Sequence, residues 1–152
     1  MSETTNPGSD NFSFVEAELG VLAFWEEHRT FEKSLAQTAD APPYIFYDGP
    51  PFATGLPHHG HLVASTLKDV VPRYWTMKGR HVQRRFGWDC HGLPVEHEID
   101  KQLGMSSLEA VAKLGIKGYN DECRAIVQRY TAEWRKTISR IGRWVDFDHD
   151  YK

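Results

Sequence analysis

Tyr47-Asp-Gly-Pro-Pro-Phe-Ala-Thr-Gly-Leu-Pro-His-His-Gly-His61 is the stretch whose reading decides the fold. An apolar run, Tyr44-Ile45-Phe46-Tyr47, leads into it, and an amphipathic pattern leaves it near His61. Between them Pro50, Pro51 and Pro57 remove backbone donors, while Gly49, Gly55 and Gly60 relax the backbone. Strand, irregular loop and helix start, in that order, form the place where an α/β fold holds a nucleotide phosphate.

Downstream, Leu62, Val63, Leu67, Val70, Val71, Tyr74 and Trp75 recur at helical spacing, with Gly79 as the stop and Pro72 as a bend or an early end. A strand is expected at 81–85, followed by a dense turn over 86–94. With a first strand at 44–48, this is a βαβ unit with parallel pairing and a right-handed crossover. Pro94 suits the first turn of a helix to Leu103, and Ser106 with Glu109 has capping-box spacing for a short helix to Leu114. A long helix is expected over 120–141, its buried face marked by Cys123, Ile126, Val127, Tyr130, Trp134, Ile138 and Ile141. Residues 144–148 alternate apolar and polar, as at the start of another strand.

Upstream, residues 1–12 read as disordered, and residues 13–43 as a helix, from about Phe14 to His28, with a linker ending in Pro42-Pro43. Residues 44–152 then read as the first half of a Rossmann-like α/β domain. Two firm strands bury too little to stand as a complete doubly wound sheet. The sheet is therefore expected to be incomplete and the chain to be the front of a larger enzyme.

The chain has 152 residues, 40% hydrophobic and 26% charged, ordinary values for a globular protein, and its net charge of −3 selects no partner. The charge distribution is more informative. Residues 1–40 carry eight acidic and two basic side chains, whereas 61–85 carry Lys68, Arg73, Lys78, Arg80, Arg84 and Arg85 against Asp69. A basic stripe beside a phosphate loop suits a polyanion, although from charge alone a solvated helix face is its commoner origin. Cys90 and Cys123 are far apart and in no metal spacing, as expected of free thiols in a reducing compartment. The polar, acidic start lacks signal-peptide character, and no apolar run reaches membrane-spanning length. A cytoplasmic protein without membrane contact is expected.

Three features can carry chemistry. His58, His59 and His61 stand where the loop becomes a helix, so ring nitrogens and free backbone N–H groups can face one anion. Such donors can stabilise a phosphate in its transition state, and Gly60, without a Cβ, lets a base or ribose approach. Metal binding is not indicated, because the His-Glu-x-x-His pattern is absent. Gly49-Pro50-Pro51-Phe52 makes a rigid apolar wall for an aliphatic side chain, or a stiff surface turn. Asp89 follows the second strand, at the sheet edge where α/β ligands bind, and can pair with an ammonium or cap a helix.

Taken together, residues 47–61 and 86–98 closely resemble the start of a class I aminoacyl-tRNA synthetase catalytic domain. His58-His59-Gly60-His61 matches the family's His-x-Gly-His signature. Asp48-Gly-Pro-Pro-Phe-Ala-Thr-Gly and Gly87-Trp-Asp-Cys-His-Gly-Leu-Pro-Val-Glu96 resemble the isoleucine-specific branch. The resemblance covers about residues 14–152, including Trp144-Val-Asp-Phe-Asp.

It implies that His58 and His61 are catalytic and bind ATP phosphates, with Gly60 against the adenine. Gly49 and Pro50 would border the isoleucine pocket, and Asp89 would hold the amino group. The implied reaction is activation of isoleucine by ATP with Mg2+ and transfer of the product to tRNA-Ile, in a family that is usually monomeric. Zinc is not indicated in this segment. Lys-Met-Ser-Lys-Ser, the family's second signature, is absent from the chain, as are an editing insertion and anticodon-binding helices. Little or no aminoacylation is therefore expected from these residues alone. Two other readings stay open: a nucleotidylyltransferase using the same loop, and a non-catalytic ATP-binding paralogue.

Overall fold

Prolines and glycines place the breaks in this chain, and the computed structural model, which describes residues 12–52 and 54–152, follows them. The expected disorder of 1–12 falls almost wholly outside the described residues. Two units can be distinguished, residues 1–30 and 31–152. In the first, α1 (Phe14–Glu27) starts at Ser13, whose hydroxyl accepts from the Glu16 amide at 3.3 Å, and none of its residues is buried. The second unit holds α2 (Thr30–Gln37) from Phe31 onward and everything after it.

In the second unit α3 (His59–Met77) runs unbroken through Pro72, whose ring is buried. The Pro72 carbonyl accepts from the Thr76 hydroxyl at 2.9 Å and from Arg84 Nη2 at 3.2 Å. β1 (Arg85–Gly87) leads through a turn to α4 (Leu93–Leu103), which has Pro94 in its first turn and left-handed Gly104 as its cap. α5 (Ser107–Arg140) opens with the expected capping box between Ser106 and Glu109. It breaks at Gly115 (φ 72°), so its two arms correspond to the expected short and long helices. β2 (Asp146–Tyr151) closes a parallel pair with β1.

The sequence-based expectations differ from the structure at the first strand. Residues 44–48 are extended and alternate half-buried with exposed, yet they form no ladder. Among the described residues two isolated parallel bridges tie this segment to the next, Pro43 with His81 and Phe52 with Asp89. Nine residues separate the first partners along one segment and eight along the other, so the register slips by one between the bridges. Prolines at 42, 43, 50 and 51 also withhold donors at both ends. Strand pairing expected at 81–85 moves to 85–87, and the regular βαβ unit is β1–α4–α5–β2.

β2 is itself irregular. Arg85 pairs with Asp146 but Gly87 with Tyr151, because Asp146 Oδ1 accepts from the amides of Asp148 (2.8 Å) and His149 (3.0 Å) and bulges the strand. The core lies between this sheet and the two long crossover helices. Phe86, Trp88, Val95, Ile99, Ala110, Tyr119, Ile126, Val127, Trp134, Ile138 and Val145 form it. Trp134 and Ile138 are buried, as the helical spacing predicts, whereas Ile141 is exposed because the helix has ended by then.

Candidate active site

The start of α3 is built by its own histidines. His58 is the N-cap, and its Nδ1 accepts from the Gly60 amide at 3.1 Å. His61 sits three residues on, and its Nδ1 accepts from the His58 amide at 3.2 Å. The two form a reciprocal capping box made of imidazoles, with rings stacked at 3.7 Å. In a neutral ring whose Nδ1 accepts, the proton is on Nε2. Each ring thus keeps one N–H donor for a ligand. The backbone donors expected to face an anion are in part occupied by the rings themselves. Burial, and after it the charges of His58 and Lys68, hold the His61 imidazole below the ordinary histidine value.

Gly60 needs to lack a side chain. A Cβ there would lie 3.0 Å from the His58 ring, so any larger residue would press on the cap. His59 is exposed, as are His58 and Gly60, while His61 is half-buried against Trp134, whose ring lies 4.9 Å away.

The proline wall stands opposite. Gly49, Pro50, Pro51 and Phe52 line a cavity of about 330 Å³ together with His61, Ala64, Ser65, Lys68, Phe86, Trp134 and Arg143. The structure thus brings Gly49, Pro50 and His61 to one cavity. Trp134 fixes its far side, donating from Nε1 to the Gly55 carbonyl at 2.7 Å.

Asp89 is joined to this wall through its backbone. Its amide donates to the Pro51 carbonyl at 2.9 Å, so both loops lie at one edge of adjacent parallel segments. Among the described residues the Asp89 carboxylate makes no hydrogen bond or ion pair.

Under the wall lies a charge cluster that sequence reasoning did not single out. The Asp48 carboxylate is 3% exposed, with Oδ2 accepting from Arg143 Nη2 at 2.6 Å and Oδ1 lying 2.7 Å from Lys68 Nζ. Lys68 Nζ also donates to the Gly49 carbonyl at 2.5 Å, Arg143 Nη1 to Ser65 Oγ at 3.3 Å, and the Tyr151 hydroxyl to the Asp48 carbonyl at 3.2 Å. Tyr151 crosses Gly87 to get there, and a Cβ at Gly87 would fall within its ring. The signal available in sequence was the spacing of Lys68, seven residues after His61 and hence on the same helix face. Arg143 carried none.

The basic stripe is correspondingly less free than its sequence suggests. Lys68 pairs with Asp48, Arg73 with Asp69 at 2.7 Å, and Arg84 is buried beneath Thr76 and Pro72. Burial lowers the Arg84 guanidinium to about 10. Lys78, Arg80 and Arg85 stay exposed.

Among the described residues no group of three or more His, Cys, Asp or Glu is arranged to hold a metal ion. Cys90 and Cys123 are free, half-buried, and line a separate cavity of about 490 Å³, and burial pushes both thiols up. No helix among the described residues is long and apolar enough to cross a membrane.

Residues 20–152 match the family described as tRNA synthetases class I (I, L, M and V). The chain is 59% identical over 143 residues to the cytoplasmic isoleucine–tRNA ligase of Mus musculus, covering 94% of this chain and 11% of that protein. It is 61% identical over 141 residues to the cytoplasmic ligase of Arabidopsis thaliana (93% and 12%) and 58% over 142 to that of Saccharomyces cerevisiae (93% and 13%). The chain therefore spans about an eighth of the length of these curated relatives. Its fold is similar to that of a LeuRS of Agrobacterium radiobacter K84, solved as a ternary complex with tRNA and LeuAMS. That match has a TM-score of 0.64 at 17% identity and covers 88% of this chain and 15% of that one.

Proposed function

The chain belongs to the class I tRNA synthetases of the I, L, M and V group, and from that membership we propose that it forms the ATP- and amino-acid-binding front of an isoleucine–tRNA ligase. The observation that carries this reading is the cavity shared by His61 and the Gly49-Pro50 wall, next to a pair of self-capping histidines.

In the proposed reaction the isoleucine carboxylate oxygen bonds to the α-phosphorus of ATP. The bond from that phosphorus to the bridging oxygen breaks, and pyrophosphate leaves. ATP would arrive as its magnesium complex. His58 and His61 act as neutral Nε2–H donors to the phosphate oxygens, where negative charge gathers in the transition state. A depressed His61 favours that neutral form at physiological pH. Gly60 leaves the helix start open to the adenine. The rigid wall at Gly49 and Pro50 borders the aliphatic side chain, and Asp89 pairs with the ammonium group. Positioning of this kind supplies a large part of such a barrier. Transfer to tRNA-Ile would complete the cycle with protein outside these residues. The cytoplasm is the proposed location, in line with the names of several relatives.

The test transplants residues 12–152 in place of the equivalent segment of the Saccharomyces cerevisiae ligase. His61→Ala should then lower kcat of isoleucine-dependent ATP–pyrophosphate exchange by about 100-fold. Asp89→Ala should act chiefly on KM for isoleucine. Exchange indifferent to either change refutes the corresponding role.

A further inference from the structure

We infer that Lys68 is a positioning residue for the amino-acid side of this site, holding the Asp48–Gly49 peptide, and with it the proline wall, at a fixed distance from His61. The inference rests on the reading of the cavity as an isoleucine-activating site.

α3 sets the geometry. His61 and Lys68 are seven residues apart, two turns along one face, and both line the same cavity. Their separation is set by a continuous helix, so Lys68 can transmit the position of His61 to whatever its ammonium grips. It grips two consecutive residues of the wall segment. Nζ lies 2.7 Å from Asp48 Oδ1 and donates to the Gly49 carbonyl at 2.5 Å. Arg143 holds the Asp48 carboxylate and the Tyr151 hydroxyl its carbonyl, but neither reaches Gly49. The segment has no ladder between the bridges at Pro43 and Phe52, and Pro50 and Pro51 have no N–H to offer.

Lys68 differs from Arg143 in this cluster. Arg143 neutralises Asp48 from a side chain 4% exposed, which is a folding role. The Lys68 side chain is 26% exposed, so folding does not require its charge to be compensated, and it alone of the two also holds the Gly49 carbonyl. A second cation on an already paired carboxylate, reaching on to a backbone carbonyl, is an arrangement for holding geometry.

Lys68→Met keeps the aliphatic stem and removes the ammonium, and Lys68→Arg restores a cation. The first readout is hydrogen exchange in the 152-residue chain. The Asp89 amide, bonded to the Pro51 carbonyl, reports the wall, and the Trp134 and Ile138 amides report the core. Lys68→Met should speed exchange at Asp89 by about 10-fold and leave the α5 amides unchanged, with Lys68→Arg recovering most of the protection. Unchanged exchange at Asp89, or equal acceleration throughout α5, overturns the inference. The second readout is the yeast chimera, where KM for isoleucine should rise about 10-fold while KM for ATP holds. Equal rises in both also overturn it. A parent chimera that activates no isoleucine would remove the functional reading, while exchange at Asp89 would still decide the role of Lys68.

Discussion

Replacing Asp48 with Asn probes the cluster on which the wall stands. The change keeps the side-chain volume and removes one charge. Arg143, 4% exposed, then has a buried guanidinium facing a neutral amide, and it cannot regain water without leaving the core. Lys68 is a quarter exposed and can turn to solvent. Removing one partner of a buried pair costs about 3–5 kcal/mol, and the escape open to Lys68 puts this case near 3 kcal/mol. That is a large share of the 5–15 kcal/mol typical of a domain's stability. Urea unfolding followed by tryptophan fluorescence measures it, since Trp88 and Trp134 are both in the core. Arg143→Met in the same background should recover about 2 kcal/mol, because the stranded charge is gone. If Asp48→Asn unfolds within about 0.5 kcal/mol of the parent, or if the two changes simply add, the cluster is hydrated and the reasoning fails.

Two further outcomes follow from the same geometry. Gly87→Ala should cost about 1–3 kcal/mol, because the new Cβ displaces Tyr151 from Asp48, and Tyr151→Ala in the same chain should return most of it. A thermal melt of both variants decides; additive losses would show that Tyr151 was not in the way. His61 predicts the sign of a pH effect. Its folded value lies below the ordinary 6.5, so the unfolded chain takes up a proton first. The associated stability is intact above pH 6.5 and falls as pH drops through the folded value. His61→Gln should flatten that acid limb, and an unchanged limb counts against a neutral His61.

What could be read from sequence was whatever local chemistry fixes. The helix start within His58–His61, the Ser106–Glu109 box, Pro94 and the face of Trp134 and Ile138 are all set by neighbours within a few residues, and the structure has them there. The fold class was legible through the resemblance of residues 47–61 and 86–98 to a known family, since the βαβ unit read at 44–85 is not the one that forms. What escaped depended on distant partners. A one-residue slip between two bridges is invisible in an apolar run such as Tyr44-Ile45-Phe46-Tyr47, which looks like a strand whether or not it is paired in register. Arg143 finds Asp48 across 95 positions. The basic residues of 61–85 read as one stripe in sequence, but whether each faces water or a partner depends on the tertiary fold, and Lys68, Arg73 and Arg84 turn inward. Of the site residues, Gly49, Pro50 and His61 meet at one cavity, whereas Asp89 does not line it and is tied to its wall only through the Pro51 carbonyl.

The central claim is that these residues supply the activating half of an isoleucine site. Amino-acid-dependent ATP–pyrophosphate exchange by the unmutated yeast chimera measures it most directly. The account predicts exchange driven by isoleucine within about tenfold of the parent yeast enzyme, a difference of about 1.4 kcal/mol in the barrier. Absence of isoleucine-dependent exchange in a folded chimera that binds tRNA would contradict it.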